Sequence, residues 1–222
     1  MTVSIENFTK AVYRQSKLTG ADTRLSTIAG LLNITNAAAT DMARKLAKKN
    51  LVNYTKYKPL SLTNKGRNLA LNVIRKHRLW ESFLYKILNL SLHEIHREAE
   101  QLEHQTSDFL ADKIENYLGY PANDPHGDPI PALNGKIKPD SSLILLSEAE
   151  EGNMYEISRL FSSEKDFFDF CSSNQIAIGS NIWVEKQYGF NRMTEIKINQ
   201  NKILLNEDFT NIVYVKRINK TQ

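Results

Sequence analysis

The amino-acid sequence predicts a mainly α-helical chain that opens on a winged helix-turn-helix and closes on a small β-rich barrel or sandwich. Three observations carry that expectation. Apolar residues recur at helical spacing through most of residues 1–118. Five of the six prolines gather in residues 120–139 and interrupt that pattern. Beyond residue 140, short runs of Ile, Leu, Val and Tyr alternate with turn residues.

A first helix is expected over residues 5–17, where Ile5, Phe8, Val12 and Tyr13 share one face. After a turn at 20–23, residues 25–32 and 36–49 form two helices joined by the short connection 33–35, the spacing of a helix-turn-helix. Leu25, Ile28, Ala29 and Leu32 line one of them, and Ala39, Met42, Ala43 and Leu46 the other. Runs 51–57 and 58–62 read as a small hairpin. Thr63 opens a long helix to about Leu88. Ser91-Leu92-His93-Glu94 has the form of a capping box starting the next, to about Glu103. A further helix over 107–118 stops before Gly119 and Pro121, and 120–139 reads as an ordered linker. The β-type runs are 143–146, 155–160, 182–184, 194–198, 203–205 and 212–215, with a short helix at 165–172. The implied division is 1–64, 65–140 and 141–222.

The 222 residues carry a net charge of only +4, but the charge is unevenly placed. Residues 1–78 hold fifteen Lys and Arg against Glu6, Asp22 and Asp41, a balance of +12, which leaves −8 for the remainder. A basic half suits a polyanion and an acidic half suits cations or a solvated surface. No apolar run approaches a membrane span and the first residues lack a secretion signal, so a cytoplasmic protein is the default expectation. The single cysteine, Cys171, excludes an intrachain disulfide and a multi-cysteine metal cage.

In a winged helix-turn-helix, the 36–49 helix is the one that enters the major groove. Thr35, Asn36, Ala37, Ala38, Thr40 and Asp41 occupy its N-terminal stretch, where Thr and Asn reach base edges and small Ala side chains permit close approach. Arg44, Lys45, Lys48 and Lys49 would follow phosphates, with Lys56 and Lys58 on the wing. The competing reading is a basic but merely solvated helix pair.

Residues 77–104 carry the second chemical signal. His77 and Glu81 lie one turn apart on one helix. On the next, His96, Glu100, Glu103 and His104 fall within an arc of roughly 100°. Imidazole and carboxylate donors without thiolate suit manganese, ferrous iron, zinc or nickel. A polar helix face with incidental histidines is the alternative. Enzyme readings find less support: there is no His-Glu-x-x-His motif, no clear pair of Glu-x-x-His sets and no glycine-rich phosphate loop.

The runs RKHRLWESFL (75–84), HREAEQLEHQTSD (96–108) and DPHGDPIP (124–131) resemble the diphtheria-toxin-repressor family of iron- and manganese-dependent transcriptional repressors. The resemblance extends over essentially the whole chain. It implies a winged-helix DNA-binding domain, a helical dimerisation domain and an SH3-like C-terminal domain. It also implies a homodimer on a palindromic operator in double-stranded DNA. Carried over by position, it puts a primary metal site on Asn7, Glu100, Glu103 and His104. The ancillary site falls on His77, Glu81 and His96, joined in some manganese-type members by Asp124, His126 and an acid for which Glu164 is the candidate. Iron-type members have cysteine at the position of Glu100 and methionine at that of Asn7, so Glu100 resembles the manganese-type branch. Two departures stand out: Asn7 replaces the Asp of manganese-type members, and Lys10 sits where some have a ligating Glu. The implied function is Mn(II)-activated repression of metal-uptake genes. An Fe(II)-responsive repressor and a metal-dependent enzyme are the alternatives.

Overall fold

The computed structural model describes residues 1–18, 20–138 and 140–218. Pro139, at the end of the expected linker, and 219–222, at the end of the expected C-terminal segment, lie outside the described residues. The chain divides into two compact units, neither of them contiguous in sequence.

The first unit comprises Met1–Trp80, Ala99–Ile114 and Ile130–Ile137. It opens with α1 (Val3–Gln15), α2 (Leu25–Leu31) and α3 (Asn36–Lys48). Between α2 and α3 the chain reverses at Asn33, whose φ of 56° is left-handed and which lets the Ile34 N–H reach the Ala29 carbonyl at 3.0 Å. Asparagine accepts that conformation more readily than most side chains. Ile5, Phe8, Val12, Ile28, Ala29, Ala39, Ala43 and Leu46 are all buried and pack in one core with Leu51, Val52 and Leu60. The apolar faces expected for the three helices thus converge as the helical period requires.

The wing is smaller in its strands than the sequence suggests. Only β1 (Val52–Asn53) and β2 (Ser61–Leu62) pair, antiparallel. Pro59 lacks an amide for a ladder and Tyr57 has φ 65°, so the intervening residues form a loop instead of extending the strands.

Thr63 then caps α4 (Asn64–Leu88), its hydroxyl accepting the Gly66 N–H at 3.1 Å. Here α4 presses on the wing. The Thr63 N–H donates to the Leu51 carbonyl at 3.0 Å, and a Cβ at Gly66 would lie 1.9 Å from that oxygen, so only glycine fits. Helix α5 (Leu92–Leu102) begins with the expected capping box: the Ser91 N–H donates to Glu94 Oε2 at 2.9 Å and the Glu94 N–H to Ser91 Oγ at 3.4 Å. In the first unit α6 (Asp108–Tyr117) is tied to α4 by Arg75–Asp112 and Lys76–Asp108 ion pairs, both 2.8 Å.

The second unit comprises Glu81–Glu98, Glu115–Pro129 and the chain from Lys138 onward. Its sheet is six-stranded and antiparallel throughout, in the order β3-β8-β4-β5-β6-β7. The strands are β3 (Leu143–Leu145), β4 (Asn153–Leu160), β5 (Asn181–Tyr188), β6 (Met193–Ile198), β7 (Asn201–Leu205) and β8 (Val213–Arg217). Register shifts at Ile157/Arg159 and Val184/Lys186 bend β4 and β5. Alternate residues such as Ile182, Val184, Ile196, Ile198, Val213 and Val215 point into one core, joined by Phe168 and Cys171 of α7 (Lys165–Ser173). A one-turn helix α8 (Glu207–Thr210), which has no clear sequence pattern, closes the approach to β8. The observed architecture is therefore a winged helix-turn-helix, a helical region and an SH3-like β domain.

Candidate metal centres and nucleic-acid interface

Helix α3 presents its chemistry outward because its apolar face is used in the core. Thr35 is the N-cap, its hydroxyl accepting the Ala38 N–H at 3.2 Å. Thr35, Asn36, Ala37, Ala38, Asp41, Arg44, Lys45 and Lys48 are exposed. Thr40 is half-buried and its hydroxyl donates to the Asn36 carbonyl at 2.7 Å, so it is turned toward its own helix. Asp41 sits 3.5 Å from Arg44. Lys56 and Lys58 flank Tyr57 at the wing tip. Tyr57 is 88% exposed, with the Lys56 ammonium 4.7 Å from its ring centroid. Tyr57 was not anticipated, since an isolated tyrosine in a turn has no signature in sequence.

Among the described residues of the first unit, a cluster of ionisable groups gathers several of the expected metal ligands. Glu103, with no side-chain exposure, is its centre. Its Oε2 meets His77 Nδ1 at 2.7 Å, and its Oε1 lies 3.1 Å from His104 Nε2. The ammonium of Lys10, itself buried, donates to Glu103 Oε1 and to Glu100 Oε1, both at 2.7 Å. Glu100 also faces His77 Nδ1 at 3.8 Å. Partial burial works against ionisation of Glu100, but the charges of Lys10, His77 and Arg14 outweigh it and hold its carboxyl down at about 2. His104 Nδ1 meets Glu6 Oε2 at 2.6 Å. Asn7 Oδ1 and His104 Nε2 are buried with no hydrogen-bond partner, an arrangement that otherwise costs stability.

Of the residues expected here, Asn7, His77, Glu100, Glu103 and His104 all lie in the first unit. His77, expected among the ancillary ligands, joins Glu103. Glu6 was not expected here, and Lys10 was noted only as standing where some manganese-type members have a ligating Glu. Their signal was present: residues 6, 7 and 10 lie on one helical face.

The second unit holds the other cluster. Glu81 Oε1 lies 3.0 Å from His96 Nδ1 and 3.5 Å from His126 Nε2. The longer contact is an ionic approach, not a formed hydrogen bond, and neither ring nitrogen of His126 has a hydrogen-bond partner although the residue is 95% buried. Burial lowers the pKa of His126, but Glu81 and the carboxylates of Asp124 and Asp128 override this and raise it.

Local structure explains the placement of His126. Asp124 Oδ1 accepts the N–H groups of His126 and Asp128, both at 2.9 Å, folding residues 124–128 into a tight turn. Strand β4 then fixes that turn. The Leu160 N–H donates to the His126 carbonyl at 2.9 Å and Arg159 pairs with Asp128 at 2.7 Å. Gly127, at φ 86°, leaves only 2.0 Å between a built Cβ and the Ser158 carbonyl oxygen. Phe168 of α7 packs on the His126 ring at 5.2 Å. Glu164 is the exposed N-cap residue of the same helix. Cys171 is buried and its thiol is pushed up to about 12 by desolvation, so it offers no thiolate.

Both clusters fit a divalent cation by their donor chemistry. The second presents a carboxylate and two imidazoles, one of them buried with unused ring nitrogens. The first presents carboxylates, an imidazole nitrogen and an amide oxygen, the last two without hydrogen bonds. Nitrogen and hard oxygen donors of this kind suit manganese, ferrous iron or zinc.

Comparison with known proteins gives concordant findings. Residues 1–60 match the family model "Iron dependent repressor, N-terminal DNA binding domain". Residues 63–132 match "Iron dependent repressor, metal binding and dimerisation domain". The chain is 26% identical over 200 residues to the diphtheria toxin repressor of Corynebacterium efficiens, covering 86% of each. It is similar to a solved manganese-dependent transcriptional repressor in complex with manganese, with TM-score 0.89 and 27% identity over 96% of this chain and 100% of that one. It is also similar to the structure of ScaR with bound Cd2+, with TM-score 0.82 and 30% identity over 96% and 99%.

Proposed function

The chain belongs to the iron-dependent repressor family, and we propose that within it this protein is an Mn(II)-activated homodimeric repressor of metal-uptake genes, acting on a palindromic operator. It is a metal-dependent transcriptional regulator and not an enzyme, as both matched family models and the Corynebacterium efficiens relative are described as repressors. The observation that supports manganese is the donor set without thiolate, with the carboxylate of Glu100 standing where iron-type members have cysteine, although such donors suit ferrous iron as well. Carboxylates and imidazoles fill both clusters, while the only thiol is buried and protonated.

When bound, the ion supplies a point of positive charge that gathers donors from separate helices. Glu81, His96 and His126 would hold it in the second unit, and Asn7, Glu100, Glu103 and His104 in the first, with His77 a further donor by resemblance. Asp124 and Glu164 are further donors by resemblance, although one oxygen of Asp124 already accepts two amides. The chain's own residues do the rest. Just past the end of α5, Glu103 fixes His77, and Glu6 orients the His104 ring from α1. With an ion bound, Asn7 would tie α1 to Glu100, Glu103 and His104. An effector shifts the population only by binding the DNA-competent arrangement better than its alternative.

We assign residues 1–64 to DNA reading, 65–140 to metal binding and dimerisation, and 141–222 to the SH3-like domain. Exposed Phe109, Leu110 and Tyr117 on α6 suit a dimer surface. No described helix is long and apolar enough to cross a membrane, and a DNA reader of this kind would work in the cytoplasm.

Fe(II) is the second reading, favoured by the iron-dependent name of both matched models. Anisotropy titration on a palindromic promoter fragment, run anaerobically with Mn(II), Fe(II) or chelator, separates the two. Manganese should tighten binding by about tenfold or more and exceed iron at equal free concentration. Equal affinity in all three conditions overturns metal activation.

A further inference from the structure

We propose that Lys10 is a tethered cation that occupies the first cluster in place of a metal ion, closing α1 onto α5 without metal and making this cluster the weaker of the two metal sites. The proposal rests on the metal-binding reading above and deepens it.

The geometry is that of a bound cation. The Lys10 ammonium is 2.7 Å from one oxygen of Glu100 and 2.7 Å from one of Glu103, and the same Glu103 oxygen faces His104 Nε2 at 3.1 Å. An ion held by those two carboxylates and that imidazole would bond directly to the oxygens that the ammonium now faces. It would therefore claim the space and the lone pairs that the ammonium now holds. Two cations cannot share them, so the ion enters only as Lys10 leaves.

Burial sharpens the exclusion. The lysine side chain is 7% exposed and Glu103 not at all, so neither charge is neutralised by water. Displacing the ammonium means finding it another site or exposing it to solvent, a cost subtracted from every metal-binding event at this cluster. By contrast, His126 in the second unit is buried with neither ring nitrogen in a hydrogen bond, and a ligand there displaces no hydrogen bond of that ring.

A regulatory consequence follows. Lys10 lies on α1, whose apolar face is built into the winged-domain core, and Glu100 and Glu103 lie on or at the end of α5. The bond between reader and ligand helix is thus formed by the chain alone. Metal responsiveness at physiological concentrations then belongs chiefly to the cluster at His126.

The test uses full-length protein and Mn(II) alone as the probe, in equilibrium dialysis and calorimetric titration. Lys10→Met removes the charge while keeping an apolar stem, Lys10→Gln keeps hydrogen bonding, and Lys10→Arg keeps the cation. Wild type and Lys10→Arg should show one tight class of site. Lys10→Met and Lys10→Gln should bind one more Mn(II) per chain, with affinity for that ion raised about tenfold or more. In chelator both should melt earlier than wild type, and Mn(II) should restore them. Restoration by the metal is a response that a purely structural lysine would not give. Unchanged Mn(II) number and affinity in the neutral variants overturns the proposal while leaving metal activation intact. Failure of both to fold even with saturating Mn(II) also overturns it, since the ion then does not replace the lysine. Absence of Mn(II) binding to wild type and every variant overturns the proposal together with the metal-activation reading.

Discussion

Around Glu103, two carboxylates hold an ammonium from their own chain while two imidazoles face the Glu103 carboxylate. Around His126, a buried imidazole stands beside one carboxylate and a second histidine with neither of its nitrogens in a hydrogen bond. The donor types are nearly the same. What differs is that the first cluster includes a buried ammonium, supplied by one side chain on α1. A ligand cluster can therefore be chemically competent for metal and yet be partly filled by the fold itself.

The largest effect that would sharpen this contrast is at Glu103. Glu103→Ala strips Lys10, His77 and His104 of a shared buried partner, and should destabilise the chelator-treated protein by about 3 kcal/mol. Urea unfolding measures it; a loss below about 1 kcal/mol would mean that the first cluster is not held by its internal charge. In the second unit the corresponding weak point is backbone. Gly127→Ala combines φ 86° with a 2.0 Å clash against Ser158, and should cost about 2 kcal/mol while lowering Mn(II) affinity at the His126 cluster. Unaltered stability would show that β4 does not hold the turn.

The smallest effect is a pH dependence. Because the folded pKa of His126 is raised, its contribution to stability is fully present below its unfolded value near 6.5 and is lost as pH rises through the folded value. In chelator, thermal stability should therefore decline across that window. NMR titration of the His126 ring should show its pKa falling in Glu81→Gln. A ring that titrates identically in wild type and variant would remove Glu81 as the cause.

Much of this was legible in the sequence because the relevant patterns are periodic. Ile5, Phe8 and Val12, or Ala39, Ala43 and Leu46, define helix faces by spacing alone, and Ser91 with Glu94 states a helix start in four letters. The faces then put His96, Glu100, Glu103 and His104 on one arc. What was not legible is partnership across the chain. Lys10 meets Glu100 and Glu103 from some ninety positions away, and its place on the face of Glu6 and Asn7 does not say which carboxylates it will pair with. The same holds for Arg159, whose pairing with Asp128 depends on β4 passing the 124–128 turn. The wing strands were overdrawn for the opposite reason: β-type residues at Tyr54 and Tyr57 outweighed the local signal of Pro59 and a left-handed backbone.

The glycine at the start of α4 has a mechanical meaning. With the Leu51 carbonyl pressed against Gly66 and bonded to the Thr63 amide, there is no clearance between the wing and the helix that carries His77. A linkage without backlash transmits a small displacement in full, whereas a slack one absorbs it. A side chain at position 66 would act as a wedge driven between the wing and the first turn of α4.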